Sequence, residues 1–494
     1  MMKKTIRSVL SVFAFLTALI LLLAGFSRVF EHKGSREKIQ PFLSRAEQFD
    51  VLFFGDSHAY SGIYPMELWE NYGIAAYNLS SYNLPIPVSY WVMRNALLTC
   101  NPKVVVLDVN QVWEQAKLCE SSSDVHTGLD AFPMSRVKLE AIFDLMDDPL
   151  FTDKDGNRYK DLRWEFIFPF LNYHTRWNDL SLRDLRPDYN RELGGQRKIA
   201  VAEPDEYELT DSTADEQGFG FAYLRRFIKD CQDRGIRVML INLPYPCRNN
   251  SEEQLYTNAV YYTAEEYGID YFDFVYMDQI VDYSTDCYDP ASHLNPSGAW
   301  KVTDFIGQHL SEAYDLPDHR REAAYASFHS DYAAYREEKL ESIRKETEPL
   351  SFLMLLADPS FSTLLLLPED SAVYADDLAM QLVQNIGRRH LMPADTDEAV
   401  WSDSLMPLEL LLESANGNYM AVIDRNDTTI SECMGSGAVS TSFGSVTLNE
   451  STGGATVTGA NGSFVLSVQP GSDVHAVVLD KQTGEVLHER AVRL

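Results

Sequence analysis

Residues 51–58 have the sequence Val-Leu-Phe-Phe-Gly-Asp-Ser-His, and this stretch decides the fold class. The four apolar residues are typical of a buried parallel strand, and Gly55 predicts a tight turn at the carboxyl end of that strand. In open α/β sheets, ligands bind outside the carboxyl ends of the strands. We therefore expect Ser57 at the edge of a crevice, near the start of a helix, where its backbone N–H could stabilise a developing oxyanion.

A serine nucleophile needs a base, and the best candidate is His293. It lies in residues 288–299, which have the sequence Tyr-Asp-Pro-Ala-Ser-His-Leu-Asn-Pro-Ser-Gly-Ala. A helix is predicted to follow, from about Ser297 to His309. Asp289 lies four residues before His293, close enough across a turn to accept a hydrogen bond from Nδ1. The spacing predicts a Ser57/His293/Asp289 triad.

Each of these residues also has a structural interpretation. Ser57 is suited to cap a helix, Asp289 is suited to the turn before a proline, and His293 could be an ordinary surface histidine. The presence of both motifs favours catalysis, because a helix cap needs no distant partner. His58 is predicted to contact substrate or to be structural, since neighbouring side chains at a helix start diverge.

The two motifs together resemble the SGNH/GDSL hydrolase superfamily over roughly residues 48–313. Within it, the chain is similar to a membrane-anchored envelope branch that includes the alginate O-acetyltransferases and the D-alanyl-lipoteichoic acid biosynthesis protein. The resemblance implies an α/β fold, a three-layer doubly wound parallel sheet. It also implies an ester hydrolase or O-acetyltransferase activity.

The chain departs from the family pattern in three places. Asp289 precedes the histidine by four residues and not by three. Residues 78–83 (Asn-Leu-Ser-Ser-Tyr-Asn) lack the glycine of the second motif, and residues 106–110 (Val-Leu-Asp-Val-Asn) match the third motif only at their last residue. The candidate oxyanion donors are therefore Ser80, Asn83 and Asn110, each of which could equally be a turn residue.

The composition excludes several function classes. A net charge of −31 makes nucleic acid an improbable partner, because phosphate backbones are repelled. We find no histidine or carboxylate cluster at metal-ligand spacing and no phosphate-binding glycine loop, so no metal or other cofactor is expected.

The six cysteines match no zinc pattern. In an exported protein, Cys100 could pair with Cys119, or Cys247 with Cys287.

The amino terminus carries a targeting signal. Lys3, Lys4 and Arg7 precede an uncharged run over residues 9–26, which is long for a signal-peptide core and just long enough to span a bilayer. We favour an uncleaved single-pass anchor in the cell membrane with an extracytoplasmic domain. The alternative is a protein secreted after signal cleavage.

The rest of the chain divides by composition. The predicted segments are an anchor at 1–28, a juxtamembrane stalk at 29–48, an SGNH-like domain at 49–314 with an insertion at about 111–215, a charged helical connector at 315–348 and a β-rich carboxyl-terminal domain at 349–494. Strand and helix patterns alternate in the third segment, which indicates a parallel sheet. In the last segment, residues 353–357 and 438–448 are each predicted as a strand. This segment resembles the interleukin-like EMT inducer domain through residues 419–424 and 475–486, which implies binding rather than catalysis.

The predicted insertion contains a second group of candidate residues. His174, Arg176 and Trp177 could line a sugar-binding cleft, because tryptophan stacks on sugar faces and arginine binds carboxylates. A packed loop with a structural salt bridge explains the same residues.

The sequence thus predicts a membrane-anchored, extracytoplasmic serine esterase or O-acyltransferase. The resemblance implies acyl esters of an envelope polysaccharide as substrate, acetyl as the acyl group and a membrane-bound O-acyltransferase as a partner. The alternative is a non-catalytic surface module that binds glycans or proteins on an SGNH-like scaffold. A structural envelope protein without a ligand would explain the anchor but not the paired motifs.

Overall fold

The computed structural model divides into two units. The first contains residues 1–196, 206–276 and 306–331, and the second contains residues 197–205, 277–305 and 332–494. The structure describes residues 2–31, 33–113, 122–147, 162–185, 192–202, 208–247, 251–368, 371–387, 419–424, 429–434, 438–441, 444–449, 454–468 and 474–494.

The first unit contains a five-stranded parallel sheet. Its strands are β1 (Val51–Phe54), β2 (Ala76–Asn78), β3 (Val104–Asp108), β4 (Arg237–Asn242) and β5 (Asp270–Asp273). Their order across the sheet is β2-β1-β3-β4-β5, and every neighbouring pair is parallel. Val51 pairs with Ala76 on one side and with Val104 on the other. Strands β1, β2 and β3 are buried throughout, as strands inside a parallel sheet require, whereas β5 at the edge is half-buried. The predicted α/β class is confirmed.

The first unit contains twelve described α-helices, of which the first two precede β1. They are α1 (Met2–Phe30), α2 (Lys33–Arg45), α3 (Ser57–Gly62), α4 (Pro65–Tyr72), α5 (Ile86–Ala96), α6 (Ser122–Leu129), α7 (Arg136–Asp147), α8 (Arg163–Ile167), α9 (Phe170–Tyr173), α10 (Leu182–Leu185), α11 (Phe219–Gln232) and α12 (Glu252–Tyr267). Capping residues in the sequence determine where some of these helices begin and end. The Ser251 side chain, for example, accepts from the N–H of Gln254 at the start of α12, and Gly268 ends this helix at a φ of +62°.

The first helix, α1, is exposed and apolar. Over residues 8–30 its mean hydropathy is 2.6, and most of its apolar side chains are exposed, although Phe30 at its carboxyl end is buried. Among the described residues, it is the one helix long and apolar enough to cross a membrane. A membrane anchor and a signal sequence both have these properties.

The segment predicted as a stalk is packed into the first unit. In α2, Ile39 and Phe42 are buried. The Phe42 ring centroid lies 5.9 Å from that of Phe49 and 5.4 Å from that of Tyr77. The predicted helix is present as α2, and the charged residues Glu37 and Lys38 are buried in it together with Ile39 and Phe42.

The second unit contains two antiparallel sheets. The strands are β6 (Phe361–Pro368), β7 (Tyr419–Asp424), β8 (Thr429–Met434), β9 (Ala438–Thr441), β10 (Gly444–Asn449), β11 (Gly454–Gly459), β12 (Val465–Val468), β13 (Val474–Asp480) and β14 (Val486–Val492). One sheet has the order β14-β13-β6-β7-β8 and the other the order β12-β11-β10-β9. Leu364 and Val477 of the first sheet share a core with Val446 and Val457 of the second. This confirms the predicted β-rich carboxyl-terminal region.

The remaining helices are α13 (Pro296–Ala313) and α14 (Ala326–Lys345), whose residues fall in both units, and α15 (Pro349–Leu356) and α16 (Asp377–Gly387), which lie in the second unit.

Two strand predictions were wrong. Residues 353–357 lie mostly in α15, which begins at Pro349 and is capped by the Glu348 side chain. Residues 438–448 form a hairpin, β9 and β10, and not one strand.

Four cysteines are buried free thiols: Cys100, Cys231, Cys247 and Cys287. The suggested pair Cys247–Cys287 is therefore not formed, and Cys119 lies outside the described residues. Burial raises the pKa of the Cys100, Cys231 and Cys247 thiols to about 12, so these thiols are poor nucleophiles.

We predict that Phe42→Ala destabilises the protein, because it leaves a cavity between Phe49 and Tyr77. The expected loss is about 3–5 kcal/mol of unfolding free energy, read as a lower thermal midpoint. Leu98→Ala removes an exposed side chain of the same unit and is the control. If both variants shifted the midpoint equally, residues 33–45 would not be part of the folded unit.

Candidate active site

The turn after β1 lies where the sheet reverses its order. The chain passes from β1 to β2 on one side and then places β3 on the other side of β1. In doubly wound sheets, the crevice at this point binds ligands. Ser57 is the first residue of α3 and lies directly after this turn, half-buried.

Gly55 is required because the two central strands approach each other closely. It has a φ of +152°, and a Cβ added there would lie 2.7 Å from the Asp108 Cβ and 3.0 Å from the Ala59 Cβ. A larger residue would push β1 away from β3. The tight turn that the sequence predicted at Gly55 thus follows from backbone packing.

Asp56 fixes the start of α3. Its Oδ1 accepts from the backbone N–H of His58 at 2.8 Å, and its Oδ2 accepts from Gln111 Nε2 at 2.6 Å. His58 is itself buried. The helix start after β1 is therefore tied to the segment after β3, which carries Gln111 and Asn110.

Asn78, the last residue of β2, holds α3 from the other side. Its Nδ2 donates to the backbone oxygens of Ala59 (2.8 Å) and Ile63 (3.2 Å). Its Oδ1 accepts from the N–H of Ser80 at 3.0 Å. Asn78 is not among the candidate residues that the sequence predicts. Only the position of a buried amide at the carboxyl end of a strand could have suggested a role for it.

Lys38 is a second residue that the sequence did not reveal. It is buried on α2, donates to the backbone oxygen of Ser80 and lies 3.7 Å from the ring centroid of Tyr60. Burial lowers the pKa of the Lys38 amine well below its usual value. Helix α2 therefore helps to position the loop after β2.

Two acids lie at the carboxyl edge of the sheet, the buried Asp108 and the half-buried Asp273. Burial raises the pKa of Asp108 well above its usual value, and the charges of Asp56 and Asp273 raise it further. Burial also raises the pKa of Asp273 to about 6, although Asn242 Nδ2 donates to this carboxyl at 2.9 Å. Asp108 Oδ2 and Asn242 Oδ1 are buried without a hydrogen-bond partner among the described residues. Such perturbed groups cluster at functional sites.

The three predicted oxyanion donors have different surroundings. Asn83 is exposed in a turn with a φ of +46°, which fits its structural interpretation. The N–H of Ser80 donates to Asn78, and its Oγ is buried without a hydrogen-bond partner among the described residues. Asn110 lies after β3, where its Oδ1 accepts from Gln111 Nε2 at 3.3 Å. Through Gln111 it is joined to the start of α3. The oxyanion role of each of the three residues stays a prediction.

Asp289 and His293 form a hydrogen-bonded pair in the second unit. His293 Nδ1 lies 2.9 Å from Asp289 Oδ2 and 3.1 Å from Oδ1, and the backbone N–H of His293 donates to Oδ1 at 3.2 Å. The Tyr288 ring stacks against the imidazole at 5.5 Å between centroids. With Nδ1 bonded to a carboxylate, Nε2 is the nitrogen that can take a proton.

The loop that carries this pair is held at its base. An isolated antiparallel β-bridge, which pairs the backbones of Cys287 and Leu294, closes the loop. The Asn295 side chain donates to the backbone oxygens of Thr285 and Cys287 and accepts from the start of α13. Asp286, fully buried, binds Lys301 Nζ at 2.7 Å. The imidazole is therefore positioned by its own unit.

The structure brings together Asp289 and His293, while Ser57 belongs to the other unit. The complete Ser57/His293/Asp289 triad therefore stays a prediction.

The candidates His174, Arg176 and Trp177 lie in a short 3₁₀ segment of the first unit. Arg176 donates to the backbone oxygens of Phe30 (2.5 Å) and Glu31 (2.8 Å) at the end of α1. It also binds Asp184 at 3.3 Å. These contacts fit the structural alternative that the sequence left open for Arg176.

No group of three or more histidine, cysteine or carboxylate side chains suited to a metal ion occurs among the described residues.

Comparison with known proteins finds only distant similarity. The chain matches no family model and no curated protein. A structure provisionally described as an acylhydrolase from Bacteroides fragilis is 10% identical, with a TM-score of 0.29, over 56% of this chain and 98% of that chain. A GDSL-like lipase from Bacteroides thetaiotaomicron is 9% identical, with a TM-score of 0.29, over 57% and 100%. A structure provisionally described as a lipolytic protein of the G-D-S-L family from Desulfitobacterium hafniense is 11% identical, with a TM-score of 0.26, over 52% and 97%. We infer nothing about function from similarity this low.

We predict that Asp273 makes the stability of the protein depend on pH. Its folded pKa of about 6 lies above the unfolded value near 3.9, so its stabilising contribution is complete below about pH 4 and is lost as the pH rises through 6. Asp273→Asn should therefore gain thermal stability relative to the wild type between about pH 4 and pH 7.

Thermal midpoints of both proteins across this pH range test the prediction. Asp233→Asn, at an exposed carboxylate of the same unit, is the control and should follow the wild type. A constant difference between Asp273→Asn and the wild type at every pH would contradict the burial argument.

Proposed function

We propose that this chain is an SGNH-type serine esterase or O-acyltransferase, with Ser57 as nucleophile, His293 as general base and Asp289 as the group that orients His293. The observation that carries the proposal is the Asp289–His293 pair, bonded through Nδ1. The position of Ser57 at the reversal of the sheet order supports it independently.

The proposed reaction has two steps. Ser57 Oγ attacks the carbonyl carbon of an ester while His293 Nε2 takes its proton and then gives it to the departing alkoxide. An acyl-enzyme and a free alcohol result. Water or a sugar hydroxyl then attacks the acyl carbon and loses its proton to His293, which gives the proton to the departing Ser57 Oγ, so that an acid or a new ester is released and the enzyme is regenerated. Hydrolysis and transfer therefore differ only in the second nucleophile.

The substrate and the location of the reaction are part of the proposal. The resemblance of the two motifs to envelope acyltransferases suggests acetyl esters of an envelope polysaccharide and a membrane-bound O-acyltransferase as acyl donor. The length and hydropathy of α1 suggest a membrane anchor. The two antiparallel sheets of the second unit suggest a binding module, since the motif resemblance of this segment implies binding.

We predict that Ser57→Ala abolishes labelling by a fluorophosphonate probe and hydrolysis of a chromogenic acetate ester. The probe reacts only with an activated serine, so labelling at residue 57 reports the state of this hydroxyl. Ser61→Ala is the matched control, because Ser61 lies on the same helix and its hydroxyl donates to the Ser57 backbone oxygen at 3.0 Å. An unlabelled wild type would favour the non-catalytic binding module.

We also predict that Asp289→Asn lowers kcat by up to about 10⁴-fold with the fold intact, because an amide that donates to Nδ1 favours the wrong imidazole tautomer. Rates of acetate-ester hydrolysis measure the effect. Asp278→Asn, at an exposed carboxylate of the same segment, should keep the wild-type rate. Equal rates for the two variants would remove Asp289 from the mechanism.

A further inference from the structure

Residues 163–185 form an element with one buried side and one exposed apolar side, and we call this element the collar. It contains α8, α9 and α10, and it buries Phe166, Tyr173 and Asp184. The other side exposes large apolar side chains: Trp164 (63%), Phe168, Leu171, Trp177 (66%), Leu182 and Leu185. Apolar patches of this kind on a folded domain mark interaction surfaces.

The collar contacts α1 at its carboxyl end. The Phe170 ring centroid lies 6.4 Å from that of Phe26 and 6.1 Å from that of Phe30. Arg176 donates to the backbone oxygens of Phe30, the last residue of α1, and of Glu31, which follows it. The collar is thus fixed to the last turns of the apolar helix.

The length of α1 places these turns at a membrane boundary. A helix of 23 residues, over 8–30, is about 35 Å long. The hydrocarbon core of a bilayer is about 30 Å thick. If α1 spans the bilayer, Phe26 and Phe30 therefore lie near the level where hydrocarbon meets the polar headgroups.

The chemistry of the collar suits this level. Tryptophan is enriched at membrane–water interfaces, where its apolar ring and its N–H both find favourable surroundings. The buried Asp184 carboxylate lies 3.3 Å from Arg176 and offsets its charge. The exposed leucines supply apolar area that water does not favour.

We propose that the collar lies in the headgroup region of the bilayer that α1 enters, with Trp164 and Trp177 inserted at its surface. This proposal rests on the membrane anchor of the proposed function and not on the catalytic assignment. A lipid surface is favoured over a protein partner because the collar packs, through Phe170, against the last turns of the apolar helix α1. Chain segments far apart in sequence would then hold the first unit against the membrane.

Tryptophan quenching by brominated lipids tests the proposal. The full chain is placed in vesicles whose lipids are brominated near the top of the acyl chains, and its emission is compared with that in unbrominated vesicles. We expect the wild type to lose emission, and we expect most of this loss to disappear in the double variant Trp164→Phe/Trp177→Phe. Phenylalanine keeps the patch apolar, so the variant should remain folded and inserted.

The controls separate the collar from the anchor. Trp91→Phe removes a buried tryptophan of the same unit and should leave the loss of emission unchanged. Flotation of the vesicles reports the anchor itself. A chain that floats but shows equal quenching in wild type and double variant overturns the collar alone, and one that does not float overturns both. Self-association through the patch, without quenching, would assign it to a second copy of the chain.

Discussion

The close approach of β1 and β3 at Gly55 and Asp108 positions everything that the first unit presents at the end of its sheet. Because no side chain fits at residue 55, the backbone can turn within two residues and begin a helix. Asp56 then links this helix start to Gln111, which follows β3. The position of Ser57 is therefore set by the packing of two strands, before any chemistry is considered.

The same edge of the sheet carries carboxyl groups whose surroundings lower the stability of the folded protein. Asp108 and Asp273 are both held with raised pKa values, and each costs folding free energy when it is ionised. The amides of Asn78 and Asn242 satisfy some of the neighbouring donors and acceptors. Buried polar groups concentrated at one place, where local rules for a stable core are broken, are expected at a functional site.

Secondary structure could be predicted from the sequence where a local pattern of residues is compatible with only one kind of element. The strand at 51–54 and the turn after it could be predicted, because a short apolar run ended by glycine has few other interpretations. Residues 353–357 could not be assigned from their composition, since a short run buried on all sides looks alike in a strand and in a helix. The contacts of Lys38 and Arg176 with Ser80 and the end of α1 join segments far apart in the chain, and no local pattern predicts such contacts.

The proposed nucleophile, Ser57, and the proposed base, His293, are each held in position by contacts within their own unit. Backbone packing fixes the serine in the first unit. In the second unit, two contacts fix the loop that holds the imidazole. One is the backbone β-bridge between Cys287 and Leu294, and the other is the ion pair between buried Asp286 and Lys301. Asp289 selects the imidazole nitrogen that can accept a proton, whether or not substrate is present. Catalysis needs this preorganisation, because a base that must find its orientation during the reaction loses most of its advantage.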